Sequence, residues 1–189
     1  ALLKEDDWSF IIKLHALFEA ACTHLLLFHF KEPALDDILS RLELSDKARG
    51  KIAFLSKMEL LDKEDRRLIS TLSEVRNSLV HDIRNAKFDL RAMVAGFDAK
   101  QLEQFAVSFS PYESMWRRLD GKDGTLRQMI DPRIVDVSQL DKVIDRAKAD
   151  PKVHIWIGAY NVLVSIVDSR GYSEYKQWLK AKALFSEDE

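Results

Sequence analysis

Between residues 74 and 82 the chain reads EVRNSLVHD. Three of these side chains carry chemistry. An imidazole such as that of His81 titrates near neutral pH and can move a proton, the guanidinium of Arg76 stays charged and can clamp an anionic oxygen, and the amide of Asn77 can orient the imidazole or hydrogen-bond a phosphate. On an ideal helix Asn77, His81 and Arg84 share one face, because steps of four and three stay together, whereas Arg76 lies about 140° around from His81. A straight helix therefore keeps Arg76 and His81 from converging on one small ligand. A kink, or a second copy of the chain, would supply the convergence. As a bare pattern Arg-x-x-x-x-His asks for no function, since the wet side of an amphipathic helix looks the same.

The helix that positions these groups is legible upstream of them. Asp62 is its expected N-cap, and Glu64 and Asp65 fall in its first turn, where the macrodipole favours negative charge. Leu68, Leu72, Val75, Leu79 and Ile83 form its apolar stripe. A longer first helix is expected over 6–30, with Trp8, Ile11, Ile12, His15, Phe18, Glu19, Cys22, Leu25 and Leu26 on one stripe. Pro33 opens a short helix, PALDDILSRL, and Ser45 is the expected cap of a third, DKARGKIAFLSKMELL, burying Ile52, Leu55 and Met58.

Beyond the motif, the pattern breaks around Gly96, and Asp98 is expected to cap DAKQLEQFAVSF. SPYE at 110–113 has the form of a capping box, GKDG at 121–124 and DPR at 131–133 are turn signals, and SQLDKVIDRAKA reads as a helix. A helix from Pro151 to about Asp168 contains VHIWIGAYNVLVSIV, apolar nearly all round, which fits burial in a bundle or in a dimer interface. Gly171 then precedes a final amphipathic piece that ends in SEDE. The organisation expected is a helical core over 1–95 and a helical extension over 96–189 packed on it.

Composition agrees. The 189 residues include 47% hydrophobic side chains, enough for a real core, with only 6 Gly and 4 Pro, so the expected class is all-α. The net charge of −2 excludes the broad basic stripe of a general nucleic-acid binder but leaves room for a local patch. One cysteine, Cys22, forms no internal disulfide, and no signal peptide precedes the first helix, so a cytoplasmic location is expected. Runs such as HLLLFHF are too short to cross a bilayer, and no membrane partner is expected. Neither a Gly-rich phosphate loop nor a Gly-x-Ser-x-Gly elbow is present. No cofactor is expected.

Three further groups invite a reading. His15 and Glu19 are one turn apart within an apolar stripe, where a carboxylate needs a partner. The expectation is a buried pair, with Arg76 or His15 as the partner of Glu19. His24, His29 and His81 lack the spacing of a metal site, so no metal is expected. WRR at 116–118, with Lys122 and Arg127, reads as a solvated helix end with a core Trp before it reads as a nucleic-acid contact.

The stretch KIAFLSKMELLDKEDRRLISTLSEVRNSLVHDI, 51–83, resembles the HEPN superfamily, and within it the branch typified by the mannitol operon repressor. The carriers are MELL, the acidic turn after it, and Arg76-Asn77-x-x-x-His81-Asp82. HALFEAACTHLLL in the first helix also fits, and the likeness spans about residues 8–95. Glu59 stands where that branch usually has glycine. The resemblance implies an antiparallel helical bundle that forms a homodimer with two Arg-x-x-x-x-His motifs facing one cleft. It also implies metal-independent cleavage of RNA in active members, and a non-catalytic regulator or protein-binding module in others. Arg76 and His81 would be catalytic, with Asn77, Asp82, Arg84 and Glu19 in support.

Overall fold

The computed structural model describes residues 2–46, 48–80, 87–110 and 138–167, the last without the side chains of 138 and 139. The fold is all-α. Its helices are α1 (Asp7–Phe30), α2 (Asp36–Arg41), α3 (Lys51–Lys57), α4 (Lys63–Val80), α5 (Leu90–Ala95), α6 (Ala99–Ser108), α7 (Ser138–Ala149) and α8 (151–167). Short 3-10 turns at Leu2–Lys4 and Pro33–Leu35 lead into α1 and α2.

Centrality falls to α1 because it is apolar on nearly every side. Asp6 caps it by accepting the Ser9 N–H at 2.9 Å, and Lys31 ends it in the left-handed region at φ 54°. Phe10, Ile11, Leu14, Phe18, Cys22, Leu25 and Leu26 are fully buried along it. By length and composition alone α1 would also qualify as a membrane span. Half of its most apolar stretch is instead buried inside the bundle.

Against α1 pack α2, α3 and α4. Asp62 caps α4 as expected, accepting the Asp65 N–H at 3.2 Å. Leu68, Leu72 and Leu79 are buried, with Val75 half-buried, and Ile83 lies outside the described residues. Arg76 acts electrostatically on His15, and Asp65 on Cys22, so α4 runs antiparallel to α1.

The start of α3 differs from expectation. Ser45 does not cap it. The Asp46 carboxylate takes the N–H groups of Ala48 and Arg49 at 2.8 and 2.7 Å, folding the chain into a turn that Gly50 closes onto the Asp46 carbonyl. A β-carbon on Gly50 would lie 2.6 Å from the Asp46 backbone, so α3 starts only at Lys51. It also ends early, since Glu59 turns left-handed at φ 57°, and Ile52 and Leu55 are buried while Met58 is only partly so.

The second half of the chain closes over this frame. Asp98 and Gln101 form a reciprocal capping box on α6. On α8, Lys152 binds the Asp7 carboxylate at 2.7 Å and the Glu5 carbonyl at 2.6 Å, the His154 Nε2–H donates to the Ala106 carbonyl at 2.9 Å, and Gly158 sits against Phe109 and Leu68. Ser165 Oγ donates to Asp65 at 2.7 Å. One side of α8 is thus core. Its opposite side is apolar too, and Tyr160, Val164 and Val167 face outward, Val167 at 61% exposure. Of the SPYE segment only Ser110 is described, buried with its N–H on the Val107 carbonyl, and the GKDG, DPR and WRR segments, Lys122, Arg127 and the piece after Gly171 lie outside the described residues.

Candidate functional site

Where α1, α3 and α4 meet, four ionisable side chains and an amide gather. His15 is there because its position on α1, four residues from Ile11 and three from Phe18, belongs to the buried stripe. Burial, and then the neighbouring Arg76 charge, hold the imidazole below its ordinary range. Glu19 pulls the other way and Lys51 adds to the depression. His15 is therefore neutral at neutral pH.

Arg76 lies half-buried on α4 beside it. One guanidinium nitrogen, Nη1, donates to the Asn77 side-chain carbonyl at 3.0 Å, and no carboxylate among the described residues pairs with the charge. That hydrogen bond occupies the Asn77 acceptor and leaves its NH₂ as a donor alongside the other guanidinium N–H groups. The locality is rich in donors and, among the described residues, has no carboxylate on Arg76, the chemistry that suits an anion with several oxygens.

Glu19 departs from expectation in two respects. Its side chain is 42% exposed rather than buried, and its cation is Lys51, Nζ to Oε1 3.4 Å, rather than Arg76 or His15. The reason lies in α3: Lys51 is only 1% exposed and also donates to the Ser40 carbonyl at 3.1 Å. Sequence reasoning missed Lys51. The signal was present, because Lys51 stands four residues before Leu55 and next to Ile52, and so falls on the buried face of α3. Asp65, too, was read only for its place in the first helical turn. It lies three residues before Leu68 on the core stripe, is 3% exposed, and burial pushes its carboxyl up to about 6 against the lowering hydrogen bond from Ser165.

His81, Asp82 and Arg84 lie outside the described residues, so of the six side chains singled out from the sequence Arg76, Asn77 and Glu19 are placed. Arg76 and Asn77 are in contact, and Glu19 reaches the cluster through Lys51 and the field on His15. Cys22 faces the core, with burial raising its thiol to about 12, so it carries no thiolate chemistry. Among the described residues no three of His, Cys, Asp and Glu gather as a cage for a metal ion, and His24 points to solvent. Comparison with known proteins adds no relative: no family model, no curated protein and no solved structure matches this chain.

Proposed function

We propose that the chain is a HEPN-like, metal-independent endoribonuclease that works in the cytoplasm as a homodimer, with Arg76 and Asn77 holding the phosphodiester and His81 moving the proton. One observation carries the reading: Arg76 is a half-buried guanidinium with Asn77 as its hydrogen-bond partner and no carboxylate among the described residues to neutralise it. Structural arginines at such depth are normally paired, whereas one reserved for a ligand is left unpaired.

In the proposed reaction His81 takes the proton of a ribose 2′-hydroxyl, and the 2′-oxygen attacks phosphorus. The bond from phosphorus to the 5′-oxygen breaks, and that oxygen leaves with a proton from an imidazolium. Arg76 meets the charge that grows on the non-bridging oxygens. The upstream fragment ends in a 2′,3′-cyclic phosphate. Two chains supply two Arg-His sets to one cleft, which removes the obstacle of the angle of about 140° between Arg76 and His81 on one helix.

A second reading, a non-catalytic regulator or protein-binding module of the mannitol operon repressor kind, draws support from the net charge of −2. The separating experiment incubates the purified chain with a mixed RNA pool, in chelator and in magnesium. Cutting that persists in chelator, spares DNA, leaves cyclic phosphate ends and vanishes in His81→Ala supports the enzyme. An intact pool in both conditions removes it and leaves the regulator.

A further inference from the structure

A second feature, also built on α4, deepens that reading. Between α3 and α4 runs an open groove of about 670 Å³, within the size range of ligand sites. Its chemistry is mixed in a particular way. Phe54 stands on its wall at 41% exposure, an aromatic ring left in water on a short helix whose neighbours Ile52 and Leu55 are buried. Lys57 and Arg66 line the groove as well, and neither has a carboxylate partner among the described residues. Arg66 Nε is pinned to the Asp62 carbonyl at 3.1 Å, which fixes the guanidinium in place and leaves its terminal N–H groups to spare. Ser56 and Ser70 add hydroxyls. Among the described residues the one carboxylate in the wall, Asp46, already accepts two backbone N–H groups.

The groove and the arginine site are both built on α4. Arg66, Ser70 and Asn77, at steps of four and seven, lie on one face of α4 over about 16 Å, with Ser73 buried between them and its hydroxyl bonded to the Ile69 carbonyl. An exposed ring, two cations without a carboxylate partner among the described residues, and hydroxyls, on a helix that also carries Arg76 and Asn77, are what an unpaired nucleotide strand needs. The base stacks on the ring, and the phosphates meet the cations.

We infer that the α3–α4 groove seats an unpaired nucleotide of the RNA strand whose scissile phosphate lies at Arg76 and Asn77, with Phe54 as the stacking platform and Lys57 and Arg66 as phosphate contacts. This rests on the RNA-directed reading above. It makes the substrate single-stranded around the cut, since a base held in a duplex cannot reach Phe54.

The test is fluorescence anisotropy of the full chain with a labelled single-stranded oligonucleotide of 2′-O-methyl RNA, which lacks the nucleophile and stays intact, and with its duplex, over a range of salt. Phe54→Leu is expected to weaken single-strand binding about fivefold or more, the low end of what one lost base stack does, and to leave duplex binding alone. Lys57→Gln and Arg66→Gln are each expected to lower the slope of log affinity against log salt by about 0.7, the value for one phosphate contact on a single strand. Melting curves check that the variants fold, and Phe54 and Lys57, being exposed, leave the core intact. If Arg76→Gln loses binding while the three groove variants bind as the wild type does with unchanged slopes, the groove inference falls and the RNA-directed reading stands. Tighter binding of duplex than of single strand overturns the groove inference as well. A wild type that binds neither overturns both.

Discussion

Gly158 offers the sharpest test of how the second half of the chain is seated. A β-carbon built on it would lie 2.3 Å from the Phe109 carbonyl oxygen, 2.9 Å from that carbonyl carbon and 3.0 Å from Leu68 Cδ1. Ordinary contact begins near 3.4 Å, so Gly158→Ala requires α8 and the end of α6 to part by about 1.1 Å. Neither side yields easily. Phe109 closes α6 through its N–H to Phe105, and its ring packs edge-on against the Phe105 ring at 5.1 Å. Overpacking of this kind costs about 1–3 kcal/mol, and a clash with backbone belongs at the upper end. Alanine recovers up to about 1 kcal/mol over glycine within a helix. The expected net loss is about 2 kcal/mol, a fall of roughly 4–8 °C in Tm for a chain of this size. Thermal and urea unfolding followed by circular dichroism would measure it, and a slope against urea unchanged from wild type would show that only stability has moved. A variant with equal or higher Tm would refute the seating of α8 through Gly158.

Glu59→Gly is expected to raise stability by up to about 1 kcal/mol, since a left-handed residue at φ 57° costs about 1–2 kcal/mol for a side chain and glycine returns part of that as unfolded-state entropy. A urea midpoint at or below the wild-type value would contradict it. Glu19→Gln is expected to lower stability by about 1 kcal/mol by stranding the buried Lys51 ammonium, and adding Lys51→Met to restore most of it. A neutral single variant would show that the pair at 3.4 Å contributes nothing. Asp65 titrates at about 6 in the fold against 3.8 for an ordinary Asp, so its ionised form opposes folding. Its contribution is fullest below the ordinary value and is lost as pH rises through 6. The Tm of the wild type relative to Asp65→Asn should therefore fall between pH 4 and pH 7. His15 and His154 are depressed and work in the opposite direction, but they are common to both chains and cancel in the difference. A pH-independent difference would exclude a buried, titrating Asp65.

How much of this was written in the sequence depended on whether a residue's partners were local. The boundaries of α1, the Asp62 and Asp98 caps and the stripe of α4 as far as Leu79 follow from periodicity and side-chain-to-backbone bonds within three residues, and they are where the pattern puts them. The start of α3 escaped because Asp46 uses its carboxylate to build a turn, which competes with the helical turn that Ser45 would have capped. Lys51 and Asp65 escaped for another reason. Their positions on apolar stripes were visible, but what makes such burial tolerable, Ser40 and Glu19 for one and Ser165 for the other, lies far away in sequence. Of the site, Arg76 and Asn77 were legible as candidates, but their hydrogen bond to each other was not, since helical geometry alone groups Asn77 with His81 and Arg84. The exposed Phe54 was not, because no periodicity distinguishes an aromatic left outside from one folded in.

The long reach of α8 bears on the order in which the molecule can be made. Lys152 grips Asp7 across 145 residues of chain, and Ser165 finds Asp65 across 100. During synthesis α1 and α4 emerge first, with Phe10 and Leu68 still lacking the helix that covers them. Contacts of such sequence separation form late and slowly, so the nascent chain passes through an interval in which a half-closed bundle exposes oil to the cell. A chain halted before residue 150 would stay in that interval, a substrate for chaperones rather than a smaller version of the protein.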